Sequence, residues 1–166
     1  MTEEKWQGKA VAELAGTDAE LVWEALEDFC NLHKWMPIET CYQVEGVAGE
    51  PGLIRYCASS VQHDFPVSDS ANTTTIKWAK EKLLAIDPVQ RSLSYEIVDN
   101  NVGFASYVAT IKVLPIHSHG SQIEWAFLCD PIQGWTIQDL KSYLHSSLHF
   151  MANKLQLAHP THSTQP

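Results

Sequence analysis

One strand of this chain, Trp78-Ala79-Lys80-Glu81-Lys82-Leu83-Leu84, carries a glutamate on its apolar face. Successive side chains of a strand point to opposite sides of a sheet, so Lys80 and Lys82 share one face. Two lysines indicate that this face is solvated, which leaves Glu81 on the inner face beside a leucine. A carboxylate there costs several kcal/mol unless it is paired, so its presence favours a chemical role over a packing role.

The segments before this strand predict one strand and two helices. Trp6–Leu14 alternates between apolar and polar residues, which is typical of a half-buried strand. Thr17-Asp18-Ala19-Glu20 has the pattern of a capping box, and apolar residues follow it at helical spacing. A second, short helix is expected over Cys30–Trp35, and it ends before Pro37 because proline restricts the residue that precedes it.

The remainder of the chain predicts about six strands and then one long helix. Turn signals separate the strands at Gly46–Gly52, Asp87-Pro88, Asp99–Gly103 and His117–Gly120. The helix is expected over Ile137–Leu157 because apolar residues recur there at helical spacing. This apolar stripe consists of Ile137, Leu140, Leu144, Leu148, Met151 and Leu155.

This order of elements predicts an α+β fold rather than alternating strand–helix–strand units. An antiparallel sheet of about seven strands has to curl, and one amphipathic helix packs across its concave face. Such a shape leaves a cavity between the sheet and the helix. We expect a single domain over residues 1–157 and a disordered polar tail over residues 158–166.

Other strands also direct polar groups toward this predicted cavity. Arg55 shares a face with Leu53 and Cys57, and Tyr95 shares one with Leu93 and Ile97. In a strand predicted over Ala105–Val113, Tyr107 lies with Ala105, Ala109, Ile111 and Val113. In the strand Ile123–Cys129, the inward positions are Ile123, Trp125, Phe127 and Cys129.

A buried Arg55–Glu81 ion pair is expected from these faces, and it has two interpretations. The pair either holds the sheet together or acts on a ligand. Buried ion pairs seldom add net stability over a hydrophobic replacement, so the ligand or catalytic role is favoured.

Composition excludes several classes of partner. The 166 residues carry a net charge of −9, whereas nucleic acids and anionic membranes require a basic surface. No apolar run approaches the roughly 20 residues of a membrane span, so no integral membrane association is expected. The N-terminus is acidic and lacks the apolar core of a signal peptide, which predicts a cytoplasmic protein.

Cysteines and histidines do not indicate a metal site or a cofactor. Cys30, Cys41, Cys57 and Cys129 show no C-x-x-C spacing and are expected to be reduced, packed thiols. His145-x-x-x-His149 has helical metal spacing, but no third ligand accompanies it, so surface positions are expected. We therefore predict neither a metal nor a cofactor.

Several motifs of the chain resemble plant lachrymatory-factor synthase-like proteins, which belong to the Bet v 1 / START-like (polyketide cyclase, SRPBCC) superfamily. The more specific of them are Trp78-Ala79-Lys80-Glu81-Lys82-Leu83 and Leu32-His33-Lys34-Trp35-Met36-Pro37. The other matching segments are Lys5–Lys9, Asp28–Asn31, Val44–Gly46, Arg55-Tyr56, Ser94-Tyr95, Tyr107–Thr110 and Trp125. The resemblance covers most of the chain up to about Asp130, and it implies the helix-grip fold.

The resemblance also implies a reaction and a site. In such an enzyme, the positions that match Arg55 and Glu81 form the catalytic pair, with tyrosines nearby, and an alkenyl sulfenic acid is isomerised to a thial S-oxide. This implies that Glu81 gives and takes a proton, that Arg55 stabilises the anionic oxygen, and that Tyr107 assists. The remaining expected ligand contacts are Tyr95, Trp125, Phe127, Leu53 and Leu83.

Two other functions stay open at this point. The chain is alternatively a non-catalytic carrier or sensor of a small hydrophobic metabolite, hormone or lipid, with Arg55 as the anchor for an acidic group. An interaction protein with a filled core would require that no cavity exists. The polar segment Ser59–Thr75 is longer than in the resembling family, and it is either a lid over the cavity or disordered.

Overall fold

A computed structural model of the chain describes residues 4–62, 74–117 and 119–159. The elements in chain order are β1 (Trp6–Leu14), α1 (Ala19–Glu27), a 3-10 helix (Phe29–Lys34), β2 (Thr40–Glu45), β3 (Ile54–Gln62), β4 (Thr74–Asp87), β5 (Ser92–Asn100), β6 (Val108–Ile116), β7 (Gly120–Cys129) and α2 (Ile137–Ala158). The predicted α+β order is confirmed. The central residues of the predicted lid, 63–73, and most of the predicted tail, 160–166, lie outside the described residues.

The seven strands form one antiparallel sheet in the order β1-β7-β6-β5-β4-β3-β2. The chain thus leaves the sheet at β1, crosses through the two helical segments, and returns at the opposite edge as β2. From β2 to β7 each strand pairs with its neighbour in sequence. The predicted glycine, proline and asparagine signals lie between these strands, except between β3 and β4, where the connecting residues are outside the described part of the chain. This meander places β3 and β4 side by side, and their register brings Arg55 and Glu81 together.

Helix α2 packs its apolar stripe against the concave face of the sheet. Leu140, Leu144, Leu148, Met151 and Leu155 are buried as predicted, whereas Ile137 at the helix start is only half-buried. The inner positions of β6 and β7 are buried too: Ala109, Ile111, Val113, Ile123, Trp125, Phe127 and Cys129. The core therefore lies between one sheet face and one helix.

The capping box predicted at the start of α1 is wrong. The N-cap residue is Asp18, and it makes no side-chain cap hydrogen bond. Thr17 is instead turned into the protein, 1% exposed, where the Ser121 hydroxyl donates to its carbonyl oxygen at 2.8 Å. Packing of this loop against β7 has overridden the local motif. A complete capping box occurs at α2, where Thr136 and Asp139 cap each other's backbone N–H at 3.1 and 2.8 Å.

Strand β6 begins three residues later than predicted, and Ala105 is exposed rather than inward-facing. The cause is the Asn100 side chain, whose Oδ1 accepts from the backbone N–H groups of Val102, Gly103 and Phe104 at 2.8–3.0 Å. This turn holds the backbone away from the sheet until Val108. Tyr107, immediately before the strand, is nevertheless buried.

Candidate functional site

A cavity of about 420 Å³ lies between the sheet, the 3-10 helix and α2. Its walls are mainly apolar and include Leu26, Phe29, Met36, Ile111, Leu144 and Met151. Exposed members of the lining, among them Pro37, Ser60 and Lys77, show that the cavity reaches the surface between the end of the 3-10 helix and the β3–β4 pair. Side chains therefore do not fill the core, and the volume of the cavity falls in the usual range for small-ligand pockets.

Arg55 and Glu81 form a buried ion pair in the cavity wall. The two residues are direct cross-strand partners on β3 and β4. Arg55 Nε and Nη2 both lie 2.7 Å from Glu81 Oε1, and the two side chains are 4% and 13% exposed. Burial alone would lower the pKa of Arg55, but the negative charge of Glu81, together with Cys57, Tyr95 and Cys41, raises that pKa overall. The guanidinium therefore stays charged.

Phe29 completes the surroundings of the guanidinium. Its backbone oxygen accepts from Arg55 Nη1 at 2.7 Å, and its ring centroid lies 3.7 Å from the guanidinium carbon. A cation over an aromatic face gains further electrostatic attraction. These contacts fix the position of Arg55 and still leave guanidinium N–H groups free, because the side chain has five of them.

Glu81 uses only one of its two carboxylate oxygens in these contacts. Oε1 accepts from Arg55, and Cys57 Sγ lies 4.0 Å from the same oxygen. Within the described part of the chain, Oε2 accepts no hydrogen bond, although Glu81 lines the cavity. One carboxylate oxygen is thus available to a molecule in the cavity.

Tyr95 and Tyr107 are buried beside the ion pair. Their ring centroids are 6.3 Å apart, and the Tyr95 ring lies 5.1 Å from the Arg55 guanidinium carbon. Burial raises the pKa of both phenols, and the negative charge of Glu81 acts in the same direction. Both hydroxyl groups therefore stay protonated at neutral pH and are able to donate hydrogen bonds.

The residues predicted as a site divide into two groups. Arg55, Glu81, Tyr95, Tyr107 and Trp125 all line the cavity. Leu53, Leu83 and Phe127 are buried in the core and are not part of that lining. Leu53 and Leu83 lie at the end of the β3–β4 pair next to the turn Gly46–Gly52, and Phe127 stacks against Tyr107 with ring centroids 6.3 Å apart. Strand parity assigns a residue to a face but not to a position along it.

Several lining residues were not predicted from the sequence. Phe104 and Trp135 lie on loops, where no periodicity marks an inward position, and Tyr143 lies on α2 outside its apolar stripe. These three rings form a row with centroid distances of 6.4 and 6.0 Å. Phe29 matched the helical spacing of the core, but nothing in the sequence indicated that its backbone oxygen would bind an arginine.

Metal binding finds no support among the described residues, which contain no group of three or more histidine, cysteine or acidic side chains placed to hold an ion. His145 and His149 are exposed with ring centroids 4.2 Å apart. No helix of the described chain is long and apolar enough to cross a membrane.

Comparison with known proteins connects this geometry to a family. The model of the family described as "Polyketide cyclase / dehydrase and lipid transport" matches residues 7–157. Similar solved structures include the protein XoxI from Bacillus cereus, with a TM-score of 0.69, 22% identity, and coverage of 92% of this chain and 94% of that one. A protein from Thermobifida fusca has a TM-score of 0.69 and 18% identity, with coverage of 96% of this chain and 99% of that one.

Major latex-like protein 151 from ginseng, Panax ginseng, is similar as well, with a TM-score of 0.67, 20% identity, and coverage of 93% of this chain and 99% of that one. At such identities the likeness concerns the fold. The Bet v 1-like helix-grip fold expected from the sequence is confirmed.

Proposed function

The chain belongs to the polyketide cyclase / dehydrase and lipid transport family, and from this premise we propose that it binds a small, mainly apolar molecule in its cavity and transfers a proton on that molecule through Glu81. The observation that carries the proposal is that only one oxygen of the Glu81 carboxylate is engaged by a described residue. Arg55 engages Oε1, and no described residue donates to Oε2. A purely structural ion pair has no need of a free oxygen in an apolar cavity.

The reaction that suits this arrangement is the isomerisation of a small alkenyl sulfenic acid to a thial S-oxide. Glu81 takes the proton of the S–O–H group, and the electron pair of that O–H bond remains on oxygen. A lone pair of sulfur forms the carbon–sulfur double bond as the carbon–carbon double bond opens, and the electron pair of the opened bond takes the proton that the carboxyl group returns to the far alkene carbon. A carboxylate at hydrogen-bonding distance contributes to such a shift as general base and then as general acid.

Arg55, Tyr95 and Tyr107 have supporting roles in this proposal. The free N–H groups of Arg55 stabilise the oxygen as it becomes anionic, and the protonated phenols donate to the same region. Trp125 adds a further donor, since its Nε1 is buried in the cavity wall and has no hydrogen-bond partner among the described residues. A polar oxygen on the ligand would satisfy this group.

A carrier or sensor of a hydrophobic metabolite is the second candidate, and the apolar lining is the observation that favours it. In that case Arg55 and the tyrosines orient a polar end of the ligand, and no bond changes. The two candidates differ in whether the molecule that leaves the cavity is the one that entered.

The experiment supplies freshly generated 1-propenesulfenic acid, made in the assay from its cysteine sulfoxide by alliinase, and measures the thial S-oxide by mass spectrometry. We expect product in proportion to the amount of the protein. Glu81→Gln should reduce its rate at least about a hundredfold, the usual contribution of a positioned acid–base group.

Glu96→Gln is the matched control, because Glu96 lies on β5 and does not line the cavity, so its product rate should equal that of the wild type. If the wild-type protein forms no product but binds an apolar fluorescent probe stoichiometrically, the carrier function replaces the catalytic one. Full activity of Glu81→Gln would reject the role of Glu81.

A further inference from the structure

Cys41 and Cys57 form a pair of thiols beside the cavity. They are direct cross-strand partners on β2 and β3, and their sulfur atoms are 3.6 Å apart. Each residue is 8% exposed, and Cys57 lines the cavity. Both are free cysteines. The pair was not expected from the sequence, because the two residues are 16 positions apart in the chain and only the register of β2 on β3 brings them together.

The surroundings of the pair favour a negative charge on Cys41 Sγ, whereas the hydrogen bond to Cys41 and burial raise the pKa of Cys57. The Cys57 thiol donates to Cys41 Sγ and thereby lowers the pKa of Cys41, against the opposing effect of burial. The positive charge of Arg55, the backbone of Leu32 and the His33 side chain act in the same direction as the Cys57 thiol. Thiolates in such electropositive surroundings are the reactive form of cysteine.

We propose that Cys41 and Cys57 are an oxidisable dithiol, which a peroxide entering the cavity converts into a cross-strand disulfide. The Cys41 thiolate attacks one oxygen of hydrogen peroxide. The S–O bond forms, the O–O bond breaks, and the departing hydroxide takes a proton from solvent and leaves as water. The Cys57 sulfur then attacks the Cys41 sulfenic acid, the S–S bond forms, and the Cys57 proton leaves with the hydroxyl group as a second water. Two thiols are oxidised, and one peroxide is reduced to two waters.

The backbone is compatible with this product. Directly opposed residues of an antiparallel pair have Cα atoms about 4.5–5.5 Å apart, and disulfides span about 4.4–6.8 Å. The sulfur atoms need to move only from 3.6 Å to about 2.05 Å. Rotations of the two side chains supply this displacement, and the strands keep their register.

Disulfide formation also changes the wall beside Glu81. In the reduced protein, Cys57 Sγ lies 4.0 Å from Glu81 Oε1. A disulfide with Cys41 would remove the thiol proton of Cys57 and hold the Cys57 sulfur at the Cys41 sulfur. The oxidised protein should therefore bind and turn over its ligand differently from the reduced one. This consequence rests on the proposed function, whereas the disulfide itself does not.

The test treats the folded wild-type protein with increasing hydrogen peroxide, blocks the remaining thiols with iodoacetamide after denaturation, and maps the peptides by mass spectrometry. We expect a Cys41–Cys57 link to form before Cys30 or Cys129 is modified, and dithiothreitol to reverse it. The proposal is overturned if Cys41 and Cys57 stay alkylatable, if either pairs with Cys30, or if links form only between molecules.

Two variants identify the attacking sulfur. In Cys57→Ser the second step is blocked, so dimedone should trap a sulfenic acid on Cys41. Cys30→Ser is the matched control, since Cys30 is a half-buried thiol outside the cavity lining. The Cys41–Cys57 link should form in this variant as it does in the wild type. Dimedone labelling of Cys30 or Cys129 in place of Cys41 would contradict the order of steps, and the wild-type map decides the proposal even if Cys57→Ser fails to fold.

Discussion

At the scale of single residues, the proposed function depends on the Arg55–Glu81 pair. Arg55 is buried, the Glu81 side chain is 13% exposed, and each is the main partner of the other. Removing one partner of a buried pair leaves an uncompensated charge, which commonly costs about 3–5 kcal/mol, whereas replacing both with apolar residues is often neutral. This difference separates a pair kept for stability from one kept for function.

Glu81→Leu should therefore lower the free energy of unfolding by about 3 kcal/mol, because Arg55 would remain buried without its carboxylate. The double variant Arg55→Met/Glu81→Leu should recover most of that loss while abolishing activity. Urea denaturation of the wild type and the two variants measures the loss of stability and its recovery, and the thial S-oxide assay measures activity. A double variant as unstable as Glu81→Leu would mean that the pair holds the sheet together.

The buried phenols of Tyr95 and Tyr107 predict a loss of stability at high pH. Their folded-state pKa values are raised above the ordinary value, so the folded protein holds protons that the unfolded chain releases. Stability is then fully present below about pH 10 and falls as pH rises further, by up to about 1.4 kcal/mol per pH unit for each phenol.

The measurement is urea denaturation between pH 9 and 11, compared among the wild type, Tyr95→Phe and Tyr107→Phe. Each variant should show a shallower decline than the wild type, whatever its stability at neutral pH. Parallel curves for all three proteins would show that these phenols titrate normally.

At the scale of elements, an aromatic ladder crosses the outer face of β2, β3 and β4. Tyr42 lies opposite Tyr56 with ring centroids 5.1 Å apart, and the Tyr56 ring stacks on Trp78 at 6.0 Å. Cross-strand aromatic pairs stabilise a sheet by roughly 0.5–1.5 kcal/mol each. The ladder joins the edge strand β2 to the strands that carry Arg55 and Glu81.

Tyr56→Ala should thus lower the free energy of unfolding by about 2 kcal/mol, because it removes the ring shared by both pairs. Val98→Ala is the control, since Val98 is an exposed apolar residue of β5 outside the ladder. Thermal denaturation compares the two. A loss for Tyr56→Ala no larger than that for Val98→Ala would show that the rings do not support the sheet.

Sequence periodicity predicted the elements well, and particular contacts explain where it failed. β1 occurs over Trp6–Leu14 as expected, since its alternation reflects one buried face. The start of β6 was wrong because the Asn100 side chain builds a turn that periodicity does not register. The capping box at Thr17 was wrong because the loop packs against Ser121 of β7, a contact between distant parts of the chain.

At the scale of the whole molecule, the curved sheet and α2 enclose a cavity, and the proposed function requires that this cavity have room for a ligand. Ala79 lines this cavity opposite Cys57, next to the ion pair. A larger side chain there would occupy the space of a ligand without changing any charged group.

Ala79→Leu should weaken the binding of an apolar fluorescent probe at least about tenfold, equivalent to about 1.4 kcal/mol. Ala85→Leu is the matched control, because Ala85 lies on the same strand, is exposed, and does not line the cavity. Fluorescence titration gives both Kd values. Equal weakening by both variants, or none by either, would place the probe outside the cavity.

Much of this site followed from one strand in the sequence, because Glu81 on an apolar face requires a partner, and Arg55 on a neighbouring strand is able to supply it. The rest depended on three-dimensional packing. The Phe29 backbone oxygen, the Cys41–Cys57 register, and the row of Phe104, Trp135 and Tyr143 arise from loops and crossings between elements. Local pattern carries no information about such contacts.

The central claim is that Glu81 moves a proton on the ligand, and one measurement in heavy water tests it most directly. The wild-type protein, given 1-propenesulfenic acid in deuterium oxide, should release thial S-oxide with one deuterium on the carbon next to the thial carbon. Glu81→Gln should form this product at least about a hundredfold more slowly. Deuterated product at the wild-type rate from Glu81→Gln would contradict the account.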